Sequence, residues 1–310
     1  SGGGRQCLME VQNYPEDYDG VWASCPAINW HKFLMGGYWP EVVMQEQNHF
    51  LNAKKNQFFL EAVWNENGGR DKYFHLDTCK EFDPYRYVGT KTKGGIITDK
   101  DAAVMKDILD GPRRANGEQM WYGFRPGVQN WQCVIPIGTY YYPLFGHRIK
   151  PFALGPIYIR WITNHPKDNF KQMTRQQYET LYDTGLEKFS DNLGDNPAID
   201  AFVERGGKLM IDHGIDDPLI PVDGTLDYLQ KVKEHFGGWK ALDKFLRVYI
   251  TPGDNHGNCQ GNGPGLTESD GMRALMAWVE DGCVPEEMRK VRVDRKTGET
   301  LEEGMEAPFR

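Results

Sequence analysis

No apolar run in this 310-residue chain approaches the roughly 18 residues that would span a bilayer, which argues against a membrane-spanning protein. Positive charge is in deficit. Lysine and arginine number 36 against 44 aspartates and glutamates, a formal net charge of −8 that gives a nucleic-acid partner no electrostatic footing. Cysteines number six, none paired as C-x-x-C, and no Cys/His spacing matches a structural zinc site. An even count is compatible with disulfides in a secreted protein. No internal repeat and no signal peptide is visible.

Aromatic residues make up 13% of the chain, which fits either ordinary core packing or a pocket for flat ligands. After Ser1, three glycines run into a segment in which Cys7, Leu8 and Val11 have helical spacing, closed by Pro15. Val21-Trp22-Ala23-Ser24, after a glycine turn, reads as a buried strand. From about 40 to 190 the strand–helix alternation is lost. Helical stretches at 40–63 and 99–109 alternate with polar, glycine-rich or aromatic loops. Alternation resumes with a helix at Pro197–Arg205, a strand at 208–211 and a helix from Thr225, its expected N-cap, to Phe236. A strand at 245–250, a glycine-rich loop and a helix at Asp270–Glu280 follow, and the chain from Val284 onward is highly charged. That order predicts an α/β fold with a parallel sheet covered by helices. Three strands alone would leave open edges, so further strands are expected before Ser1.

The chemistry-bearing residues fall in a recognisable order. An activated serine needs a base to take its proton and an acid to orient that base. Where the serine sits on a strand-to-helix turn, G-x-S-x-G, the acid and the histidine follow it after later strands. Ser1-Gly2-Gly3 supplies the second half of such a turn, directly before a helix. Asp212, Asp216 and Asp217 all follow a strand and qualify as the acid. His256 follows the next strand and qualifies as the base. Each also has a structural reading: serine–glycine turns are common, an aspartate after a strand often caps a helix, and loop histidines are often merely solvated.

Ser1 to Gly20 (SGGGRQCLMEVQNYPEDYDG) resembles the segment C-S-x-G-G-R-Q, helix, Y-P-x-D-F-D-G of the tannase/feruloyl esterase family, within the α/β-hydrolase superfamily. Val21 to Trp30 (VWASCPAINW) is similar to that family's V-A-G-A-P-A-x-x-W. Gly207 to Pro221 (GKLMIDHGIDDPLIP) is similar to G-K-L-I-x-Y-H-G-x-A-D-P-L-I-P, and Val248 to His256 (VYITPGDNH) to F-M-V-P-G-M-x-H. Trp278 to Gly282 (WVEDG) fits W-V-E-x-G. The resemblance covers essentially the whole chain and is weakest in its middle. It implies the C-terminal part of an α/β-hydrolase parallel sheet, with residues 1–40 and 191–285 in the core, 41–190 as a large inserted lid and 286–310 as a charged tail. It implies a serine esterase acting on small esters of aromatic, phenolic acids, such as galloyl or feruloyl esters, through an acyl-enzyme on Ser1. Asp217 is then the acid, His256 the base and the Gly2 N–H an oxyanion donor. A second oxyanion donor is expected before Ser1, so this stretch alone is expected to be inactive. Secretion or periplasmic export is implied, and no cofactor is required.

Two departures from the family pattern stand out. Many members carry a cysteine before the serine bonded to one directly after the histidine; here Gly257 follows His256, leaving Cys259 as a displaced partner, as a partner of Cys283, or free. The lid of many members binds calcium through D-x-x-D-G-V-x-D-G-I. The matching stretch starts at Trp64, with Asn67, Gly69, Asp71 and Tyr73 as the remaining candidate ligands, and it keeps one carboxylate only. A glycine-rich turn is the expected reading there. Trp121, Tyr122, Phe124 and Trp131 are candidates for an aromatic slot or for lid core. Two other functional readings remain at this level: an N-terminal-serine nucleophile using its own α-amine as base, and a catalytically silent binding protein that keeps the hydrolase fold.

Overall fold

A computed structural model describes residues 1–69, 72–77, 81–128, 140–142, 146–148, 154–167, 173–257, 259 and 261–310, with backbone alone at 140–142, 146–148 and 154–156. The chain forms two compact units. One comprises Ser1–Trp30, Tyr73–Leu76 and Asp191–Arg310; the other comprises His31–Lys72 and Asp77–Ser190.

The first unit opens with helix α1 (Gly2–Asn13), which Ser1 caps by accepting the Gly4 amide on its hydroxyl oxygen. Strand β1 (Gly20–Ser24) follows, then α2 (Asp200–Glu204), β2 (Lys208–Gly214), α3 (Val222–Phe236), α4 (Trp239–Leu242) and β3 (Leu246–Thr251). The three strands pair in parallel in the order β1-β2-β3, with Val21 opposite Leu209 and Ile211 opposite Val248. All six residues of β3 and six of seven in β2 are buried, as in a sheet covered on both faces. Period-two alternation divides the core. Val21, Ala23, Leu209, Ile211, Val248 and Ile250 pack with Leu8 and Val11 of α1 and with Tyr228, Leu229 and Val232 of α3. Met210 and Tyr249 face the other way, onto Leu275 and Trp278 of α5 (Glu268–Asp281).

Helix α3 begins three residues before the expected Thr225 cap. Pro221 occupies the cap position without a side-chain bond, so Thr225 lies inside the helix with its hydroxyl free for another partner. The charged segment 286–310 is more than a tail. Strands β5 (Met288–Val293) and β6 (Thr300–Glu306) form an antiparallel ribbon, and β5 also pairs with β4 (Gly265–Leu266). Met288 and Val291 are buried, while Arg289–Glu303, Lys290–Glu306 and Arg292–Glu302 ion pairs cross the ribbon, which accounts for the charge. Beyond the ribbon, Phe309 N donates to Val248 O of β3 at 2.7 Å.

The second unit is mainly helical, with helices at Trp30–Glu46, Ala53–Glu66, Asp99–Asp110, Leu154–Thr163 and Arg175–Lys188. The expected single stretch 40–63 is two helices, because the first runs through Pro40 and stops before Asn48, whose φ is +47°. Capping boxes at Thr98/Asp101 and Thr174/Gln177 fix two helix starts. The unit boundary falls at Trp30/His31, ahead of the expected 40/41, and at Ser190/Asp191. Trp121 and Phe124 are buried within this unit, Trp121 with Lys32 Nζ over its ring and edge-on to the more exposed Tyr122, while Trp131 lies outside the described residues.

Candidate active site

Ser1 sits directly before helix α1, beside the end of β1. Its N–H donates to Cys25 O, and its carbonyl accepts from Ala27 N at 3.1 Å, the pairing of a strand residue beside the end of β1. The next residue already belongs to α1. The turn is tight enough that a Cβ on Gly4 would lie 2.3 Å from Ser24 O and 2.8 Å from Pro26 Cα, both backbone atoms. Ser1 Oγ accepts from Gly4 N at 3.0 Å, which leaves its own proton to donate. Gly2 is the first residue of α1, so its N–H has no partner within the helix and lies at the positive end of the helix dipole.

The acid and the histidine lie at the carboxyl ends of β2 and β3. Beyond the ends of these strands their backbones stay together, with Ile215 N bonded to Thr251 O and Asp216 N to Asp254 O, each at 3.0 Å. Gly214 permits this approach, because a Cβ there would meet Asn255 O at 2.2 Å and Asp254 O at 2.3 Å. His256 is thereby brought to Asp217, its Nδ1 lying 2.7 Å from Asp217 Oδ2. A carboxylate at Nδ1 places the imidazole proton there and leaves Nε2 as the basic atom. No hydrogen bond joins Ser1 to His256 among the described residues.

Of the three aspartates that qualify by position, Asp217 is the one bonded to His256 among the described residues. Asp217 is buried, and burial alone would raise its pKa, but hydrogen bonds from His213 and His256 reverse that and hold it below the ordinary carboxylate range. Its Oδ1 also accepts from Leu219 N at 2.8 Å and Ile220 N at 3.0 Å. Asp212 points elsewhere, accepting from Trp22 Nε1 at 2.6 Å and Ser24 Oγ at 3.0 Å; burial lifts it to about 6. Asp216 is buried with neither oxygen hydrogen-bonded, and burial pushes it up to about 8. Asp254 is raised as well, by burial and by the charge of Asp212.

His213 is a participant that the sequence pattern did not single out. It is fully buried. Its Nε2 lies 3.0 Å from Ile220 O and 3.3 Å from Asp217 Oδ2, and its Nδ1 lies 2.8 Å from Thr225 Oγ1. Two oxygen acceptors at Nε2 assign the proton to that nitrogen, with the Thr225 hydroxyl donating to Nδ1. Its spacing of four residues ahead of Asp217 was the available signal.

Cys25, His213 and Asp217 place one donor atom each within 4.8 Å of one another, a spacing a metal ion could use. Both His213 nitrogens and both Asp217 oxygens are already hydrogen-bonded, so the group reads as a polar network rather than an ion shell. Of the stretch that resembles a calcium loop, Trp64, Asn67, Gly69 and Tyr73 are among the described residues. Trp64 brings no oxygen and donates its indole N–H to Gly127 O. Asn67 caps its helix and donates Nδ2 to Val63 O at 2.8 Å. Gly69 has φ +98°, the Tyr73 hydroxyl bonds Glu302 in the first unit, and Asp71 lies outside the described residues. The residue directly after His256 is Gly257 rather than a cysteine. A Cβ on Gly257 would meet Ser24 Oγ at 2.9 Å and Cys25 Sγ at 3.1 Å. Cys259 is free, its buried thiol 3.1 Å from Leu266 O, and Cys283 is free and exposed. Among the described residues no helix is long and apolar enough to cross a membrane.

A serine capping a helix beside the end of β1, with a carboxylate-bonded imidazole at the carboxyl end of that parallel sheet, fits an α/β protein of the hydrolase type. Residues 1–305 match the family described as tannase and feruloyl esterase, and the chain belongs to that family. It is 32% identical over 319 residues to a probable feruloyl esterase of Arthroderma benhamiae, covering 97% of this chain and 57% of the relative. It is 25% identical over 343 residues to a tannase of Aspergillus oryzae, covering 92% and 57%. Its fold is that of the solved tannin acyl hydrolase from Aspergillus niger, with a TM-score of 0.84 at 19% identity over 99% of this chain and 60% of that one. The chain thus spans somewhat over half the length of the curated relatives it matches.

Proposed function

We propose that the protein to which this chain belongs is a serine esterase that hydrolyses esters of phenolic carboxylic acids. The observation that carries the reading is the 2.7 Å bond from His256 Nδ1 to Asp217, in the same unit as a serine that caps the first helix. Family membership, and the feruloyl esterase and tannase names of the relatives, support the substrate class.

In this mechanism Ser1 Oγ attacks the ester carbonyl as His256 Nε2 takes its proton. The Gly2 N–H, at the start of α1, stabilises the developing oxyanion. His256 then protonates the departing alcohol, leaving the phenolic acyl group on Ser1. Water, deprotonated by the same imidazole, releases the acid. Asp217 holds the imidazole in one tautomer and stabilises its charged form. Every step is carried by side chains and backbone, so the reaction needs no cofactor.

The second unit is the lid in this proposal, and the first is the C-terminal part of the hydrolase core. Export from the cell is part of the same reading. Changing Ser1, Asp217 or His256 to alanine in the full-length protein lowers turnover of a feruloyl or galloyl ester on the order of 10⁴-fold. Near wild-type turnover in any of the three would remove that residue from its role. A serine-directed fluorophosphonate probe separates an enzyme from a silent relative, which stays unlabelled.

A further inference from the structure

Four carboxyl groups are buried around the carboxyl ends of β2 and β3: Asp212, Asp216, Asp217 and Asp254. A histidine seeking an orienting carboxylate at this sheet edge therefore has several neighbours, and something must decide which one is ionised and where it points. His213 reaches Asp217 alone among them. Its Nε2 is 3.3 Å from Oδ2, the same oxygen that His256 Nδ1 occupies at 2.7 Å. The ring is held from both sides, by Thr225 Oγ1 at 2.8 Å and Ile220 O at 3.0 Å, and has no exposed surface. Thr225 is free for this bond because α3 begins before it and leaves its hydroxyl uncommitted to capping.

We propose that His213 is a positioning residue of the reaction centre. Held by Thr225, it clamps the Asp217 carboxylate from behind and makes it, rather than a neighbouring acid, the group that orients His256. The inference rests on the esterase reading for its kinetic consequences and on geometry for the clamp itself. Hydrogen bonds to a charged acceptor favour the charged form. His213 is the leading hydrogen-bond donor holding Asp217 ionised, while Asp212, Asp216 and Asp254 are all pushed the other way. The other charged or titratable groups against this network are His256, on the facing side of the carboxylate, and the buried Cys25 thiol.

The test uses the full-length protein and four variants: His213→Phe, His213→Gln, Thr225→Val and Thr225→Ser. His213→Phe keeps the ring volume and removes the donor. It is expected to lower kcat about 10- to 100-fold, the size of one lost hydrogen bond to a charged group, with KM nearly unchanged. The acid limb of kcat/KM moves to higher pH, because a carboxylate with one donor fewer holds the His256 proton more tightly. His213→Gln, which can still donate, restores part of both effects. Thr225→Val shows the same direction at smaller size and Thr225→Ser does not, and this pair carries the test if His213→Phe fails to fold. Variants that lose only melting temperature, with kcat and the acid limb unmoved, would overturn the proposal. If the wild type hydrolyses no phenolic ester, the esterase reading fails and the clamp is decided separately. In that case the downfield NMR resonance of the proton between His256 and Asp217 moves on His213→Phe if the clamp is real, and stays in place if it is not.

Discussion

Asp216 lies next to Asp217 in the chain, is 2% exposed, and has no hydrogen bond to either carboxyl oxygen. Burial therefore disfavours its charged form and lifts it from 3.8 to about 8. Replacing it with alanine removes the penalty. The sign follows from proton counts. Between about pH 4 and pH 8 the folded chain holds a proton on Asp216 that the unfolded chain has released, so wild-type stability falls as pH rises through that window. A shift of about four pH units at about 1.4 kcal/mol each sets a ceiling near 6 kcal/mol above pH 8, and relaxation and water entry reduce it to about 2–4 kcal/mol. Asp216→Ala should therefore match the wild type near pH 4 and exceed it progressively up to pH 8 and beyond. The assay is thermal unfolding of both proteins by circular dichroism at half-unit pH steps. A melting-temperature gap that is the same at pH 4.5 and pH 8.5 would refute the reasoning.

Three further outcomes are expected. Gly4→Ala drives a Cβ into Ser24 O and Pro26 Cα, which cannot move independently of β1; it should cost about 1–3 kcal/mol in chemical denaturation and lower ester turnover by displacing Ser1. Alkylation of the native protein, read by peptide mapping, should modify Cys283 well before Cys25 or Cys259, since burial raises both of those thiols, Cys259 to about 12. Truncation after Val284 removes Met288 from the cluster with Met210, Tyr249, Leu275 and Trp278, so the shortened chain should melt lower and bind a hydrophobic dye.

The parallel sheet was legible because its strands are short apolar runs between glycine turns, and helices such as α5 carry their apolar residues at helical spacing. The chain order of a serine, an aspartate after one strand and a histidine after the next could be read from the sequence, but position alone left three aspartates equivalent. Only the family motif pointed to Asp217, and the reason, a carboxylate approached by two imidazoles, is three-dimensional. His213 was hidden because a histidine at the end of a buried strand reads as core. The start of α3 was misplaced because Thr225 looks like a cap, whereas the chain enters the helix directly from Pro221. Pro40 looked like a helix start and lies inside one. The β5–β6 ribbon was masked by its charges, since its buried positions, Met288 and Val291, are too sparse to form a strand pattern.

The bonds that fix Asp217 differ sharply in how far they reach along the chain. Its amide bonds come from two and three residues ahead, and His213 stands four residues behind. His256 is 39 residues away. Asp217 is thus held by the local turn after β2, while His256 reaches it only when β3 has docked and its loop has closed against Gly214. Local contacts form early and distant ones late. The group around Asp217 therefore divides into short-range contacts from the turn after β2 and a long-range contact from the loop after β3. Loosening the β3 loop should disable the base while leaving the acid in its native place.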